Sequence, residues 1–446
     1  MINLKDYRQN PQKYIIWAKD KMVEVDRKLF DMTDAQLRAL KWKQEAMLKQ
    51  RNDLSKEIDV KRKAWEDFQA LVQQVKWLKE ELNGITTQIE ELQKTFDDLV
   101  LRIPNPPLDD VPVGTEDDNV VIKKVGEKRN YDFTPKTHRE LLEAKGYLDT
   151  ERGVKLSWSR FVIVRWKLAE LQLALQNRVV QKLVKKGFEF TFVPQLVRED
   201  AMRTTGFLPN DAMNLYRVNP KVLHPNPLLE GEGNLEGEGD KTQNFPWEPD
   251  DLRLIGTAEV ALISQHMNET LDASELPKRY VWFSSCYRRE AGTYGKDMKG
   301  LIRLHQFEKV EMVSFVKPED AEKEHELLFA IENEIFSELW LHYQQILIAS
   351  GDLGAPAAKK YDLEAWFPGI WAYKEVTSTS NTTDFQTRRG MIKYKEDGKK
   401  DFVYSLNGTA VALGRALACI VETYQTAEGD IEVPEVLRPW MRDDKI

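Results

Sequence analysis

The chain has 446 residues, of which 41% are hydrophobic and 31% charged, with a formal net charge of -8. A length of this order holds two or three domains with ample core, and the acidic balance excludes blanket nucleic-acid binding, so any RNA contact has to be a local basic surface. No apolar run approaches the ~20 residues of a membrane span. The start, Met1-Ile2-Asn3-Leu4-Lys5-Asp6, lacks a signal-peptide pattern, and two cysteines with six scattered histidines provide neither a disulfide framework nor a four-ligand metal site. A reducing, cytoplasmic setting is expected.

The first hundred residues read as paired helices. Val75, Leu78, Leu82, Ile85, Ile89, Leu92, Phe96 and Leu99 alternate steps of three and four, which is a heptad seam. Phe30, Thr33, Leu37, Leu40, Gln44, Met47, Arg51, Leu54 and Ile58 keep the same alternation upstream. Two such helices, spanning about 27–100 and joined by a turn near Asp59 to Asp67, predict an antiparallel coiled-coil hairpin roughly 45 Å long. Between residues 38 and 63 lie Arg38, Lys41, Lys43, Lys49, Arg51, Lys56, Lys61, Arg62 and Lys63 against Glu45, Asp53, Glu57 and Asp59. Charge alone fits a solvated helix face; a protruding basic arm also suits an RNA backbone.

Ile103-Pro104-Asn105-Pro106-Pro107 ends the second helix, because proline lacks the amide a helix needs. Residues 103–120 read as a linker, giving an N-terminal domain over 1–102 and a second domain over 121–446. Leu168, Leu171, Leu175, Val179 and Leu183 form a helix stripe stopped at Lys185-Lys186-Gly187, and Phe188 to Pro194 reads as a strand closed by proline. Residues 219–250, centred on the run Glu230-Gly231-Glu232-Gly233, are acidic and glycine-rich, and are expected to be a mobile insertion.

The densest stretch runs from Tyr280 to Met312. An aromatic-rich strand to Glu290, a loop from Ala291 to Gly300 and a second strand from Leu301 to Glu311 make an antiparallel hairpin. Strand alternation would put Arg303, Phe307 and Glu311 on one face, and Arg288 with Glu290 on one face of the partner. Guanidinium forks suit phosphate or carboxylate, and an aromatic plate suits a purine; a solvated sheet face is the plainer alternative. A helix over roughly 319–349 and strands at Tyr361–Pro368 and Tyr373–Asn381 follow. Arg415 is the only charge between Ala410 and Val421, and a guanidinium in so apolar a run needs an anion, either a structural carboxylate or a ligand phosphate.

Tyr287-Arg288-x-Glu290-Ala291-Gly292 with Gly300-Leu301-Ile302-Arg303-x-His305-Gln306-Phe307 and Glu311 resembles motif 2 of the class II aminoacyl-tRNA synthetases in its seryl-tRNA synthetase form, bacterial type. The run from Ser405 to Glu422 resembles motif 3, residues 188–194 motif 1, and Gly256-Thr257-Ala258-Glu259 the serine-binding Thr-x-Glu loop, with glycine in place of the usual proline at 256. Gln50-Arg51-Asn52-Asp53-Leu54-Ser55-Lys56 resembles the family's tRNA-gripping arm, and Trp158 stands where the family has glycine. The resemblance covers nearly the whole chain apart from the insertion. It implies an α+β fold: an antiparallel class II sheet of six to eight strands flanked by helices, preceded by the arm. It implies ATP-dependent ligation of serine to tRNA(Ser), with selenocysteine tRNA as a further candidate, by a homodimer without membrane contact.

Carried over residue by residue, Arg288 and Arg415 are the catalytic cations. ATP would meet Arg288, Glu290, Arg303, Phe307, Glu375, Ser378 and Arg415. Serine would meet Thr257, Arg288, Glu311, Asn407 and Thr409. Glu375 and Ser378 would carry Mg²⁺, and no zinc is expected. Arg38, Lys49, Arg51, Lys56, Lys61, Arg62 and Lys63 are the candidate tRNA contacts. Two rivals remain: a relative that activates serine for a carrier protein, and a non-catalytic RNA-binding paralogue. The long arm and the missing zinc ligands oppose the first, and the filled site positions oppose the second.

Overall fold

The computed structural model describes residues 1–218, 252–291 and 300–446. The expected insertion at 219–250 and most of the loop at 291–300 lie outside the described residues. The chain divides into two compact units, Ile2–Pro104 and Asn105–Ile446.

In the first unit two short helices, Leu4–Gln9 and Pro11–Asp20, precede α1 (Arg27–Lys63) and α2 (Gln69–Arg102). Asp26 caps α1 by accepting the Leu29 amide. Every apolar residue of the two seams is buried or half-buried, with Met47, Leu78, Leu82 and Ile85 forming a central cluster and Phe30 packed on Phe96 at 5.2 Å. The polar seam positions are paired rather than buried bare: Gln44 Nε2 donates to Thr86 Oγ1 at 2.9 Å. The turn is shorter than expected, because α1 continues to Lys63. Ile103, held extended before Pro104, ends α2.

The second unit is built on an eight-stranded sheet. Its strands are β1 (Val120–Val125), β2 (Glu189–Phe190), β3 (Lys278–Tyr287), β4 (Gln306–Val316), β5 (Tyr343–Leu347), β6 (Lys359–Phe367), β7 (Ala372–Asn381) and β8 (Tyr404–Ala412), in the order β1-β5-β6-β7-β8-β4-β3-β2. Every pairing is antiparallel except β2 on β3. Helices α3 (Trp166–Lys185), α5 (Ala321–Glu338) and α6 (Leu413–Thr423) bury Leu171, Leu175, Leu328, Ile331, Leu417 and Ile420 in one core with the sheet. A shorter helix, α4 (Glu259–Ser264), is buried along its whole length. Residues 105–118, expected as part of the linker, pack on this unit: Asn105 Nδ2 donates to the carbonyls of Pro356 and Thr382 at 2.8 Å.

Four elements have boundaries that differ from expectation. The second hairpin strand begins at Gln306 rather than Leu301, and the first stops at Tyr287. Leu301, Ile302 and Leu304 are buried without joining a ladder, because their backbone is held by other groups: the Ile302 carbonyl accepts Arg415 Nε at 3.2 Å. The strand expected from Phe188 to Pro194 is cut to Glu189–Phe190, with the Thr191 amide adding one more bond to Val281. The helix expected to reach residue 349 ends at Glu338, and 343–347 is β5.

That last stop has a clear cause. The Trp340 amide bonds Ser337 O and the Leu341 amide bonds Phe336 O, the paired bonds of a Schellman motif, with Trp340 at φ 51° in the left-handed position. The tip of the arm repeats it: Trp65 sits at φ 59° while the Trp65 and Glu66 amides bond Arg62 O and Lys61 O. The helix ending at Lys185 and the helix His138–Ala144 make the same pair of bonds with Gly187 and Gly146. A side chain in the left-handed region costs about 1–2 kcal/mol, and the two rings, 96% and 77% exposed, recover little by packing. Trp65→Gly and Trp340→Gly should therefore each raise stability by about 1 kcal/mol net of glycine's backbone entropy. A lowered urea midpoint in either variant would show that ring contacts outweigh the backbone strain.

Candidate active site

Four separate segments meet over one face of the sheet. On β4, Phe307, Lys309 and Glu311 alternate onto that face. On β8, Asn407 and Thr409 do the same, and Thr409 is the cross-strand partner of Glu311. β7 brings Glu375 and Ser378, and the turn into α4 brings Thr257 and Glu259. Arg288 and Glu290 lie just past the end of β3, Arg303 just before β4, and Arg415 on the first turn of α6. All eleven residues expected to bind ATP, serine or metal line one cavity of about 340 Å³.

Strand alternation did not bring Arg303 and Glu290 there, since neither is in a strand. They converge because the hairpin's loop feet fold inward, and Arg303 Nη1 holds Glu290 Oε2 at 2.6 Å. Arg288 is fixed twice: its Nε donates to the Gly256 carbonyl at 3.1 Å, and its guanidinium lies 5.4 Å from the centre of the Phe307 ring. The glycine at 256 leaves that carbonyl in place; a Cβ there would meet Arg288 at 3.6 Å, ordinary contact distance. Trp158 lies in the short segment between a helix and a turn, with its ring edge-on to Phe161 and His305.

Arg415 Nη1 reaches Glu375 Oε1 at 3.3 Å and the Glu375 carbonyl at 2.9 Å. Crowding by the walls opposes ionisation of Glu375, but Arg415 and Lys360 outweigh it and hold its carboxyl below the ordinary range. Beside it, burial pushes Asp362 up to about 7, with Lys360 opposing and the Glu375 charge adding, and Asp362 Oδ1 is buried with no hydrogen-bond partner. Glu375 and Ser378 offer oxygen donors to the cavity, and Asp362 lies behind them without lining it. That chemistry fits Mg²⁺, which binds through one or two carboxylates with substrate phosphates supplying the rest. Among the described residues no cluster of three or more His, Cys, Asp or Glu could hold a metal by itself.

The far end of the cavity holds residues to which no role was given from sequence. Lys309 forms an ion pair with Glu311 and donates to Thr409 Oγ1 at 3.3 Å. Burial pushes Glu311 up, and Lys309 and the Thr257 hydroxyl, 3.2 Å away, oppose it. Glu259 accepts from Gln386 Nε2 at 2.6 Å and from Asn407 Nδ2 at 2.9 Å, which fixes the amide of Asn407. Lys309 was findable, being two residues from both Phe307 and Glu311 on one strand face. Gln386 left no signal, since it comes from a short helix outside every motif.

The arm candidates lie in the other unit. Arg38, Lys56, Lys61 and Arg62 each have an acidic partner, Asp34 at 3.1 Å, Asp53 at 3.9 Å, Glu66 at 3.4 Å and Asp59 at 2.7 Å. Arg51 is half-buried and turns to Asn52 at 3.2 Å, while Lys49 and Lys63 are exposed.

An antiparallel sheet carrying two arginines from a hairpin and one from the following helix around a nucleotide-sized cavity defines a class II aminoacyl-tRNA synthetase core, and residues 245–424 match the family model described as tRNA synthetase class II core domain (G, H, P, S and T). Residues 1–107 match the seryl-tRNA synthetase N-terminal domain. The serine–tRNA ligase of Fervidobacterium nodosum is 39% identical over 459 residues, covering 100% of this chain and 99% of the relative, and that of Thermobifida fusca is 39% identical, covering 100% and 98%. The crystal structure of seryl-tRNA synthetase from Pyrococcus horikoshii complexed with ATP superimposes with a TM-score of 0.86 at 32% identity, covering 100% of this chain and 99% of that one. The chain belongs to the seryl-tRNA synthetase family.

The pocket makes one prediction apart from catalysis. Burial, with the Glu311 charge adding, pushes Glu259 up to about 7 from an unfolded value near 4.5. Between those values the unfolded chain gives up this proton first, so stability falls as pH rises through the window. Glu259→Gln removes the effect. Between pH 5 and pH 8 the variant should lose less stability than the parent, by on the order of 2–3 kcal/mol. Urea midpoints at the two pH values measure this; equal losses would show that Glu259 ionises as readily folded as unfolded.

Proposed function

We propose that this cavity joins serine to ATP's α-phosphate and then passes the seryl group to tRNA, with the residue roles that follow. As a member of the serine–tRNA ligase family the chain carries out ATP-dependent ligation of serine to tRNA. One observation supports the detailed assignment: residues from four separated segments, each matched to a motif by sequence alone, line a single cavity.

The first step brings two anions together. Serine's carboxylate oxygen attacks the α-phosphorus, the bond to the bridging oxygen breaks, and pyrophosphate leaves. No covalent nucleophile from the protein is needed; the site has to screen repulsion, align the reactants and meet charge on the α-phosphoryl oxygens. Arg288 is assigned to the α-phosphate and the carboxylate, Arg303 and Arg415 to the outer phosphates, Phe307 to the face of the base and Glu290 to its amino edge. Glu375 and Ser378, with Asp362 beside them, would hold Mg²⁺, which when bound would supply positive charge against the phosphates. In the second step the hydroxyl of the tRNA's 3′-terminal ribose attacks the seryl carbonyl and AMP leaves.

Serine is assigned to Thr257, Glu311, Asn407 and Thr409. Glu311 accepts from the ammonium, and the Thr409 side holds the hydroxyl. Alanine would leave buried polar atoms unpaired, and threonine would add a methyl to a closed wall. The arm is assigned to tRNA(Ser), with selenocysteine tRNA as a further candidate. A homodimer through α3 and the β2 region is supported by the exposed apolar side chains of Leu173, Phe190 and Phe192. Residence in the cytoplasm rests on the family. Among the described residues no helix is long and apolar enough to cross a membrane.

Arg288→Ala should lower serine-dependent ATP–pyrophosphate exchange by roughly 10³-fold while the fold stays intact. Exchange near the parent level would remove Arg288 from the reaction. Replacing residues 31–99 by a short glycine-serine loop should spare exchange and abolish transfer to tRNA. Seryl-tRNA formation by that armless protein at the parent's efficiency would overturn the arm's role.

A further inference from the structure

The C-terminal foot of the motif 2 loop is held by a pair of residues that lie outside the cavity lining. His138 and Glu422, 2% and 0% exposed, are separated by 284 positions. Glu422 Oε1 accepts His138 Nδ1 at 2.6 Å and the His138 amide at 3.0 Å, and its Oε2 accepts the Gly369 amide at 2.8 Å. A carboxylate has only acceptors, so the shared proton sits on Nδ1 and Nε2 keeps its lone pair. That lone pair takes the Leu301 amide at 3.1 Å. Gly300 makes the approach possible: a Cβ there would lie 2.1 Å from Nε2, and its φ is 85°. Two residues on, Arg303 enters the cavity, and the intervening Ile302 carbonyl takes Arg415 Nε.

We propose that Glu422 and His138 are positioning residues that set the foot of the motif 2 loop, and through it the placement of Arg303 and Arg415 on the outer phosphates of ATP. The inference rests on the roles assigned above. The serine-end residues sit on β4, β8 and the turn into α4, so the two ends of the cavity should respond differently.

The test is His138→Phe, which keeps a ring but loses the acceptor, beside His138→Gln, whose amide oxygen can take the Leu301 proton. In the exchange reaction His138→Phe should raise the KM for ATP about tenfold, the weight of one buried hydrogen bond, and leave the KM for serine within about twofold. His138→Gln should recover most of the loss. Hydrogen exchange at the Leu301 amide should quicken in the Phe variant and slow again in the Gln variant. Unchanged amide exchange in the Phe variant, or equal rises in both KM values, overturns the proposal. If the parent shows no serine-dependent exchange, the assigned function fails instead, and the amide exchange still decides on the positioning pair.

A second observation stands apart from the site. Among the described residues eleven non-glycine residues have positive φ, and four of them, Trp65, Trp166, Trp340 and Trp371, are tryptophan. Tryptophan makes up only 12 of the 446 residues, and bulky rings are the side chains least suited to that region. Two of the four occupy positions that Gly187 and Gly146 fill in this same chain, and Trp158 stands where the family has glycine. We infer that these five positions are glycine in the protein as its own cell makes it, through a codon decoded there as glycine that is written as tryptophan in this sequence. The gene should then carry one codon, UGA, at all five positions and UGG at the buried Trp366, and peptides of the protein from its native cell should show glycine masses at the five. Tryptophan masses at positions 65 and 340, or UGG codons there, would overturn the inference.

Discussion

Charge cancellation inside one cavity is the constraint on which the rest of the second unit depends. Arg303 pairs with Glu290, Arg415 with Glu375 and Lys309 with Glu311. Lys309 and Glu311 are buried, and either charge left unpaired at that depth would be costly. Two of the pairs also join separate segments, the feet of the hairpin and α6 to β7, while the third links alternate positions along β4. The binding site is therefore part of what fixes the fold around it. Under the proposed roles, phosphates and an ammonium would replace carboxylates and a lysine as partners when ATP and serine enter. Charge is exchanged rather than newly buried.

This division explains what was legible in the sequence. Period-3.5 apolar spacing is a local property, and the α1 and α2 seams run as that spacing requires. Side chains that line the cavity were also readable, because Arg288, Glu290, Arg303, Phe307, Glu311 and Arg415 keep a family's spacing. The geometry that unites them was not. Period-two reasoning placed Arg303 on a strand, but the strand begins three residues later. The buried Leu301 and Ile302 are held by His138 and α6 instead of by a neighbouring strand.

The residues that escaped notice act through other residues. Gln386 holds Glu259, Lys309 pairs with Glu311, and Glu422 fixes the tautomer of His138. No spacing rule connects positions 138, 301 and 422, and none connects 259 with 386. Such contacts are specified only by the packed sheet. The stop at Trp340 was missed for a different reason, since nothing in a tryptophan marks a left-handed helix end.

The most direct measurement is isotope exchange between pyrophosphate and ATP by the intact chain, run in parallel with serine, alanine and threonine. If Thr257, Glu311, Asn407 and Thr409 take serine's hydroxyl and ammonium as proposed, the chain should support exchange with serine and only background with the other two. Exchange with alanine at a rate comparable to serine, or none with serine, would contradict it.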